Sequence, residues 1–584
     1  MSGTPGETAP WSRSGWLFIA ASFLIGFVNY PLQVLGTSLD HLPGDVIDNR
    51  LNNFVLEHGY RYLTGKAESF WDAPSYYPRQ GVTAWSDAHI GTLPCYAALR
   101  LLGLSPEGAF QGYFVVAVVL NFVTTVWALR RLGFGPVGVA AAAYIFAYSL
   151  PVVAQTQHTQ LQPRFLVPIA FVFAWEFLRF PRTWRLAIVA ACVVVQIYIA
   201  VYLGYFLALL VAVTVLVALL RFPRQLTWRQ LLWPSWGGTL GRVAVLAVAA
   251  LAVLPLLDRH KRASGGGVPI AGIKPTAPVP GSWLSLPGNA YLHTASRWSP
   301  VPAVEVPEGE HLMCPGLLPI VAVGVVTVLA CFPTRLGTTR SVAIVSAWSA
   351  LLLAVLVTRF GDVWLYESLG KVPGAGGIRV PGRVCMVLPL LSGIVIAYLI
   401  DVIGEYAGRF GRGAAIFVSV ACLACVVAEQ RLIPTEGNDG PWYCFRTPVA
   451  LVQERQERIA ELVRSHPEPI FAYAFPTNIQ RSDMLPVHLH VLALQVEVMR
   501  ATQDFGIPCV NGWTGYGPAE WFYFRNYREL TTWMIAANKL PPDRLHGMVV
   551  IGEPMPPHPG DEEFEARLRA TFPPRIVREP GALP

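Results

Sequence analysis

The chain has 584 residues, of which 53% are hydrophobic and only 14% are charged. Soluble proteins carry about a quarter of their residues as charged groups, so this composition excludes an ordinary soluble protein. The formal net charge of +7 is spread over short segments between apolar runs. Such a distribution reports membrane topology and contact with anionic lipid, and we expect no nucleic-acid partner.

Eleven apolar runs predict membrane-spanning helices, because a run of about 20 residues matches the hydrocarbon thickness of a bilayer. A shorter run at 90–104 predicts a helix on the membrane surface or a re-entrant helix. Arginine clusters occupy alternate connections, which the positive-inside rule places in the cytoplasm. We therefore expect a multi-pass protein of the plasma (inner) membrane, with a cytoplasmic N-terminus and an extracytoplasmic C-terminus. The predicted spans are 15–36, 109–130, 134–152, 163–180, 184–201, 203–221, 240–257, 314–331, 341–357, 384–403 and 413–430.

The composition changes near residue 431, which predicts a domain boundary there. Residues 1–430 form the predicted transmembrane domain, with two long external loops at 37–108 and 258–313, the first of which carries interfacial helices. Residues 431–584 alternate between helical and strand-like segments, a pattern typical of a small α/β domain, here soluble and extracytoplasmic. Its predicted helices are 454–464 and 487–503, and its predicted strands are 469–476 and 548–551.

The first external loop is rich in carboxylates. Asp45 and Asp48 lie at the start of a predicted interfacial helix at 46–62, and Asp87 and His89 follow among several aromatic residues. Carboxylates at a membrane surface are candidates for acid/base work, and acids beside aromatic rings suit a sugar. Two interpretations of Asp45 and Asp48 stay open: they cap the helix, or they act on a substrate.

Three further connections on the same predicted face carry polar residues. His158 lies in a short glutamine-rich loop, where it is either a structural hydrogen-bonding residue or a phosphate contact. Tyr202 belongs to a nearly apolar hairpin that other parts of the protein must bury. Glu310 comes shortly before the eighth span and is a candidate partner of the first loop's acids.

A glycine-rich segment at 370–377 precedes Arg379 and Arg383, and it contains Lys371. These cations lie on the external side, against the positive-inside rule. Glycines flanked by cations can hold a phosphate through backbone N–H groups and charge, although a plain basic loop has the same composition.

In order along the chain, these short motifs resemble the GT-C superfamily of integral-membrane glycosyltransferases, and in particular its bacterial branch. The resemblance covers most of the chain, and the order of the motifs is more specific than any one of them. The motifs are Gly44-Asp45, Tyr77-Pro78, Ser86-Asp87, His158-Thr-Gln-Leu-Gln162, the Gln196–Tyr202 hairpin, Glu310–Gly316, Arg379–Arg383 and Asn511–Pro518.

The resemblance implies transfer of a hexosyl or pentosyl group from a polyprenyl-phosphate-linked donor to a glycan, lipid or protein, with inversion, on the extracytoplasmic face. It implies that an acid of the first loop is the base, by position Asp45 with Asp48 as the alternative. Arg379, Arg383 and His158 then contact the donor phosphate, whereas Asp87, His89, Tyr202 and Glu310 contact the substrate. No cofactor is required by this chemistry, and a divalent metal is possible but unsupported by ligand spacing.

Two rival functions remain at this point. A transporter or flippase of lipid-linked sugars would show internal repeats or charges at mid-membrane, and the sequence displays neither. A non-catalytic envelope scaffold would not need an acid-rich first loop. The chain also lacks the Trp-Trp-Asp motif of oligosaccharyltransferases, so we do not expect peptide N-glycosylation.

Overall fold

The protein is described by a computed structural model that divides into two compact units. Unit 1 comprises Met1–Thr37, Tyr113–Asp258 and Gly267–Gly437, and unit 2 comprises Ser38–Gly112, Arg259–Gly266 and Asn438–Pro584. The residues that the structure describes are 11–222, 231, 235–263, 270–287, 290–291, 308–332, 337–369, 377–432, 446–475, 487–515, 517–518, 521, 523–552, 554 and 559–575.

Among the described residues, nine helices are long and apolar enough to cross a membrane. Each falls on a predicted span, and the two other predicted spans correspond to the shorter apolar helices Thr183–Ile199 and Leu317–Leu329. The run at 90–104 forms the short helix Leu93–Leu101, while its surface or re-entrant location stays a prediction. The nine long helices are Arg13–Leu35, Pro106–Arg131, Pro136–Ala154, Thr159–Arg179, Val201–Arg221, Trp236–Ala263, Thr338–Val357, Pro381–Phe410 and Arg412–Glu429.

Two helices form the buried centre of unit 1, Pro136–Tyr148 and Leu388–Ala407. They approach closely because small residues face each other: a Cβ on Gly138 would lie 2.7 Å from the carbonyl oxygen of Ala397. Small residues at helix contacts are typical of packing inside a membrane, where backbones gain van der Waals contact by coming close. Unit 1 also contains an antiparallel pair of two-residue strands, Arg359–Phe360 and Val363–Trp364.

Unit 2 has the α/β character that the C-terminal sequence predicts. Strands Phe471–Ala474 and Met548–Ile551 pair in parallel, with Phe471 opposite Met548. Both strands are buried along their whole length, which explains their continuous apolar sequences. The helices of the C-terminal segment are Val449–Arg464, Val487–Phe505, Tyr527–Thr531 and Glu562–Thr571.

The first loop belongs to unit 2 rather than to the spanning helices. Strand His41–Pro43 pairs antiparallel with Arg446–Pro448. In addition, Phe54 from helix Asp48–Leu63 packs in one core with Val498 and Val549. The predicted boundary at 430/431 lies near the unit boundary at Gly437, but the structure groups residues 38–112 with the C-terminal segment.

The predicted helix at 46–62 is confirmed as Asp48–Leu63. Eleven of its sixteen residues are buried, and they include charged side chains as well as apolar ones. Arg50 contacts Glu107 at 3.3 Å, and Arg500 approaches the same Glu107 oxygen at 3.7 Å. The helix is therefore an interior element of unit 2, while its contact with a membrane interface stays a prediction.

Candidate functional site

Four predicted site residues come together in unit 1, although they are distant in the sequence. His158 directly precedes the 3₁₀ turn Thr159–Leu161, and Tyr202 is the second residue of helix Val201–Arg221. Glu310 lies in the turn Glu308–His311, and Arg383 lies in the turn Pro381–Met386. We call these four residues the Arg383 cluster.

Arg383 is the centre of the cluster. Its Nη2 donates to Glu310 Oε1 at 2.7 Å, and its Nε donates to Glu310 Oε2 at 3.5 Å. The same Nη2 lies 2.9 Å from His158 Nε2, and the guanidinium lies over the Tyr202 ring at 4.8 Å from its centroid. Because a guanidinium only donates, His158 Nε2 accepts this bond and carries no proton in this arrangement. The cluster thus combines one cation, one carboxylate, a neutral imidazole and an aromatic face.

The backbone brings the turn of Arg383 close to its partners. A Cβ on Gly382 would lie 3.1 Å from the carbonyl oxygen of Glu310, so glycine permits this approach. The backbone N–H of Arg379 donates to the Tyr202 hydroxyl at 3.0 Å. Arg379 therefore lies beside the cluster, and Tyr202 contacts both arginine positions that the sequence singled out.

Arg164 connects the loop of His158 to the turn of Arg383. It is fully buried, and its Nη1 donates to the carbonyl oxygen of Met386 at 2.9 Å. Asn121 fixes this loop from the other side, since it accepts from the Arg164 backbone and donates to the Gln162 carbonyl oxygen. The sequence prediction did not assign these residues a role. An arginine at the start of an apolar run was the available signal for Arg164.

Asp45 and Asp48 lie in unit 2, at the start of helix Asp48–Leu63. Asp45 Oδ1 accepts from the backbone N–H groups of Ile47 and Asn49, both at 3.2 Å. Capping by Asp45 is therefore confirmed, and it supplies an acceptor that the N-cap residue Ile47 lacks. Asp48 Oδ1 accepts from the indole N–H of Trp513 at 2.8 Å. A catalytic role for either acid stays a prediction.

Asp87 and His89 also belong to unit 2. His89 is buried, its Nε2 lies 2.9 Å from Asn52 Oδ1, and its backbone adopts a left-handed φ of 54°. Burial lowers the pKa of His89 to about 4, against the opposing attraction of Asp87. His89 therefore stays neutral at ordinary pH and is engaged in the interior of unit 2. Contact of Asp87 or His89 with a substrate stays a prediction.

Part of the predicted phosphate loop, residues 370–376 with Lys371, lies outside the described residues. Within the part of the chain that the structure describes, no group of three or more His, Cys, Asp or Glu residues is arranged to hold a metal ion. In the Arg383 cluster, Glu310 of the same chain accepts from the guanidinium. A guanidinium with two adjacent N–H donors matches the oxygens of a phosphate or carboxylate.

The fold defines the chain as a multi-pass α-helical membrane protein with a second unit of helices and short strands. No family model matches the chain, and no curated protein matches its sequence.

Two solved membrane glycosyltransferases are similar to the structure. The apo oligosaccharyltransferase of Archaeoglobus fulgidus shares 11% identity over 79% of this chain and 59% of that chain, with a TM-score of 0.44. ArnT from Cupriavidus metallidurans bound to undecaprenyl phosphate shares 14% identity over 85% of this chain and 90% of that chain, with a TM-score of 0.39. These are proteins of the kind that the sequence motifs predict. The chain spans less than two thirds of the oligosaccharyltransferase.

Proposed function

We propose that the protein is a membrane glycosyltransferase that takes a sugar from a polyprenyl-phosphate-linked donor. The observation that carries the proposal is that His158 and Glu310 both contact the guanidinium of Arg383, next to the ends of apolar helices. A largely buried arginine beside an aromatic ring is suited to a phosphate whose lipid tail stays in the bilayer. The acceptor is a glycan, a lipid or a protein on the extracytoplasmic face.

In the proposed reaction, the bond between the anomeric carbon and the phosphate oxygen breaks, and its electron pair stays on the phosphate. The acceptor oxygen forms the new bond from the opposite side, with inversion. The acceptor's proton passes to a carboxylate, for which Asp45 is the leading residue and Asp48 the alternative. Arg383 stabilises the charge that develops on the leaving phosphate, and Arg379 is proposed to assist it.

The test is a transfer assay with the full chain in proteoliposomes. Labelled polyprenyl-phosphate sugars are supplied with an envelope extract as acceptor, and release of polyprenyl phosphate is measured together with labelled product. We expect activity in the wild type, a loss of about 100-fold or more in Arg383→Gln, and a similar loss in Asp45→Asn. Asn retains an oxygen that can cap the helix, so this variant separates the charge of Asp45 from its capping role.

Each proposed element has its own contrary result. Full activity of Asp45→Asn would exclude Asp45 as the base, and Asp48 would then be the candidate to test. Full activity of Arg383→Gln would show that Arg383 does not bind the donor phosphate. Passage of the intact labelled lipid across the bilayer, with no cleavage of the sugar–phosphate bond, would instead favour the transporter function.

A further inference from the structure

Arg383 already has an anionic partner within its own chain. Glu310 presents both carboxylate oxygens to the guanidinium, at 2.7 Å from Nη2 and 3.5 Å from Nε. The two side chains retain 11% and 15% of their accessible surface, so the pair is largely shielded from water yet still reachable. Glu310 thus occupies the two-donor edge that a phosphate would use.

The charges within this pair are balanced before any ligand arrives. His158 accepts a hydrogen bond from Arg383 through Nε2 and adds no positive charge in this arrangement. A ligand with one negative charge therefore gains little by replacing Glu310, which also carries one. A ligand with two negative charges gains more, because the attraction to the guanidinium scales with charge at a given distance.

This difference matters for the reaction proposed above. A polyprenyl-phosphate sugar is a phosphodiester with one negative charge, whereas the polyprenyl phosphate that leaves is a monoester that approaches two. The second charge appears only as the sugar–phosphate bond breaks. An interaction that becomes favourable only at that point accelerates the chemical step, whereas one made equally in the ground state does not.

We propose that Glu310 is an internal competitor that holds Arg383 until charge develops on the leaving phosphate, and that it thereby lowers the affinity of the site for phosphomonoesters and phosphodiesters. This inference rests on the proposed function. In the step itself, the phosphodiester monoanion, the acceptor hydroxyl and the carboxylate base become the phosphomonoester dianion, the glycosylated acceptor and the protonated carboxyl group. Arg383 changes its partner from Glu310 to the dianion.

The proposal is tested by binding, without the need for an acceptor. The full chain in lipid nanodiscs is titrated at pH 7.5 with polyprenyl phosphate, a monoester, and with methyl polyprenyl phosphate, a diester of one charge. The wild type should bind the monoester about tenfold more tightly than the diester. Glu310→Gln should bind both lipids about tenfold more tightly than the wild type does, because neither lipid has to compete with the carboxylate for Arg383, and its preference for the monoester should not fall.

Two variants control the experiment. Glu310→Asp retains the charge and should bind both lipids about as tightly as the wild type does. Glu367 is exposed in the same unit, so Glu367→Gln removes one negative charge without touching the Arg383 cluster and should behave as the wild type. Thermal unfolding of each variant confirms that differences in affinity do not come from a loss of folding.

The contrary outcomes are distinct. If Glu310→Gln weakens both ligands, as loss of a positioning partner would, Glu310 is not a competitor. If its affinities equal those of the wild type, Arg383 is not held by Glu310 in solution. In both cases the proposed phosphate site survives, because the wild type still binds. If the wild type binds neither lipid, the proposed donor class fails, and the competitor role of Glu310 fails with it.

Discussion

The protein contains two arginine–glutamate groups that are built from the same residue types but differ in their surroundings. In unit 2, Glu107 lies between Arg50 and Arg500, and the three side chains are 8%, 3% and 1% exposed. In unit 1, Glu310 and Arg383 are 15% and 11% exposed, and a neutral His158 lies beside them. In unit 2 one carboxylate is shared by two cations, and water hardly reaches the group. In unit 1 one carboxylate pairs with one cation, and the pair retains more of its accessible surface.

The comparison teaches that the setting of an ion pair decides whether it is a structural element or a site. A deeply buried charge that loses its partner stays in a medium of low dielectric and is strongly destabilising. A pair at an accessible edge can exchange one partner for a ligand of the same charge. We therefore expect Glu107 to be fixed for stability and Glu310 to be replaceable.

The largest expected effect is on the free energy of unfolding, which should fall more when Glu107 is replaced than when Glu310 is replaced. Glu107→Gln removes the carboxylate that two buried guanidinium groups share and should lower the free energy of unfolding by about 3–5 kcal/mol. Glu310→Gln should lower it by less than Glu107→Gln does, because Glu310 and Arg383 retain more of their accessible surface. Denaturant unfolding of the full chain, followed by tryptophan fluorescence, measures both. Equal losses in the two variants would show that the groups do not differ in this way.

The second prediction concerns the neutral interior of unit 2. His89 has a pKa of about 4 in the folded protein, against 6.5 for an unperturbed histidine, so the unfolded chain binds more protons between these values. The contribution of His89 is therefore fully present above about pH 6.5 and is lost as the pH falls towards 4, by up to about 3 kcal/mol.

His89→Asn tests this contribution, since Asn tolerates a left-handed backbone and does not titrate. We expect its unfolding free energy to fall less steeply between pH 6.5 and 4 than that of the wild type. His58 is a second buried histidine whose pKa is lowered by burial, so a residual slope remains in the variant. Identical slopes in wild type and variant would contradict the burial of a neutral His89.

The smallest expected effect distinguishes the hydrogen bonds of Asp45 from its charge as the source of helix stability. Asp45→Ala removes the acceptor of the Ile47 and Asn49 N–H groups and should cost about 1 kcal/mol of stability. Asp45→Asn should cost only a few tenths of a kcal/mol, because its side-chain oxygen caps almost as well. Thermal unfolding of the two variants measures the difference. An equal loss in both would mean that the charge, rather than the hydrogen bonds, stabilises the helix start.

The sequence predicted local features of the fold well. Apolar runs locate the spanning helices because length and hydropathy alone satisfy the demands of a bilayer. The alternation of Phe471–Ala474, Val487–Phe505 and Met548–Ile551 likewise predicts the α/β character of the C-terminal segment. These patterns are contained within short stretches, and no distant partner is needed to read them.

Contacts between residues that are distant in the chain could not be predicted from the sequence. Thr447 donates to the carbonyl oxygen of Gly44, 403 residues away, and nothing local to either residue indicates this contact. Glu107 had no predicted role, because the sequence around this acid does not indicate that Arg50 and Arg500 are its partners. Within the site, the sequence singled out His158 as an imidazole in a glutamine-rich loop and Arg383 as a cation against the positive-inside rule. The contacts of Arg383 with His158 and Glu310 are visible only in the structure.

Binding of polyprenyl phosphate to the full chain in nanodiscs tests the central claim most directly, with Arg383→Gln compared against Arg409→Gln. Arg409 is a matched control, because it lies over the Tyr406 ring at 5.1 Å much as Arg383 lies over Tyr202. We predict that Arg383→Gln weakens binding by about 100-fold, that Arg409→Gln binds as the wild type does, and that uncharged polyprenol binds all three proteins equally. Equal affinity of Arg383→Gln and wild type for polyprenyl phosphate would contradict the phosphate site, and with it the proposed function.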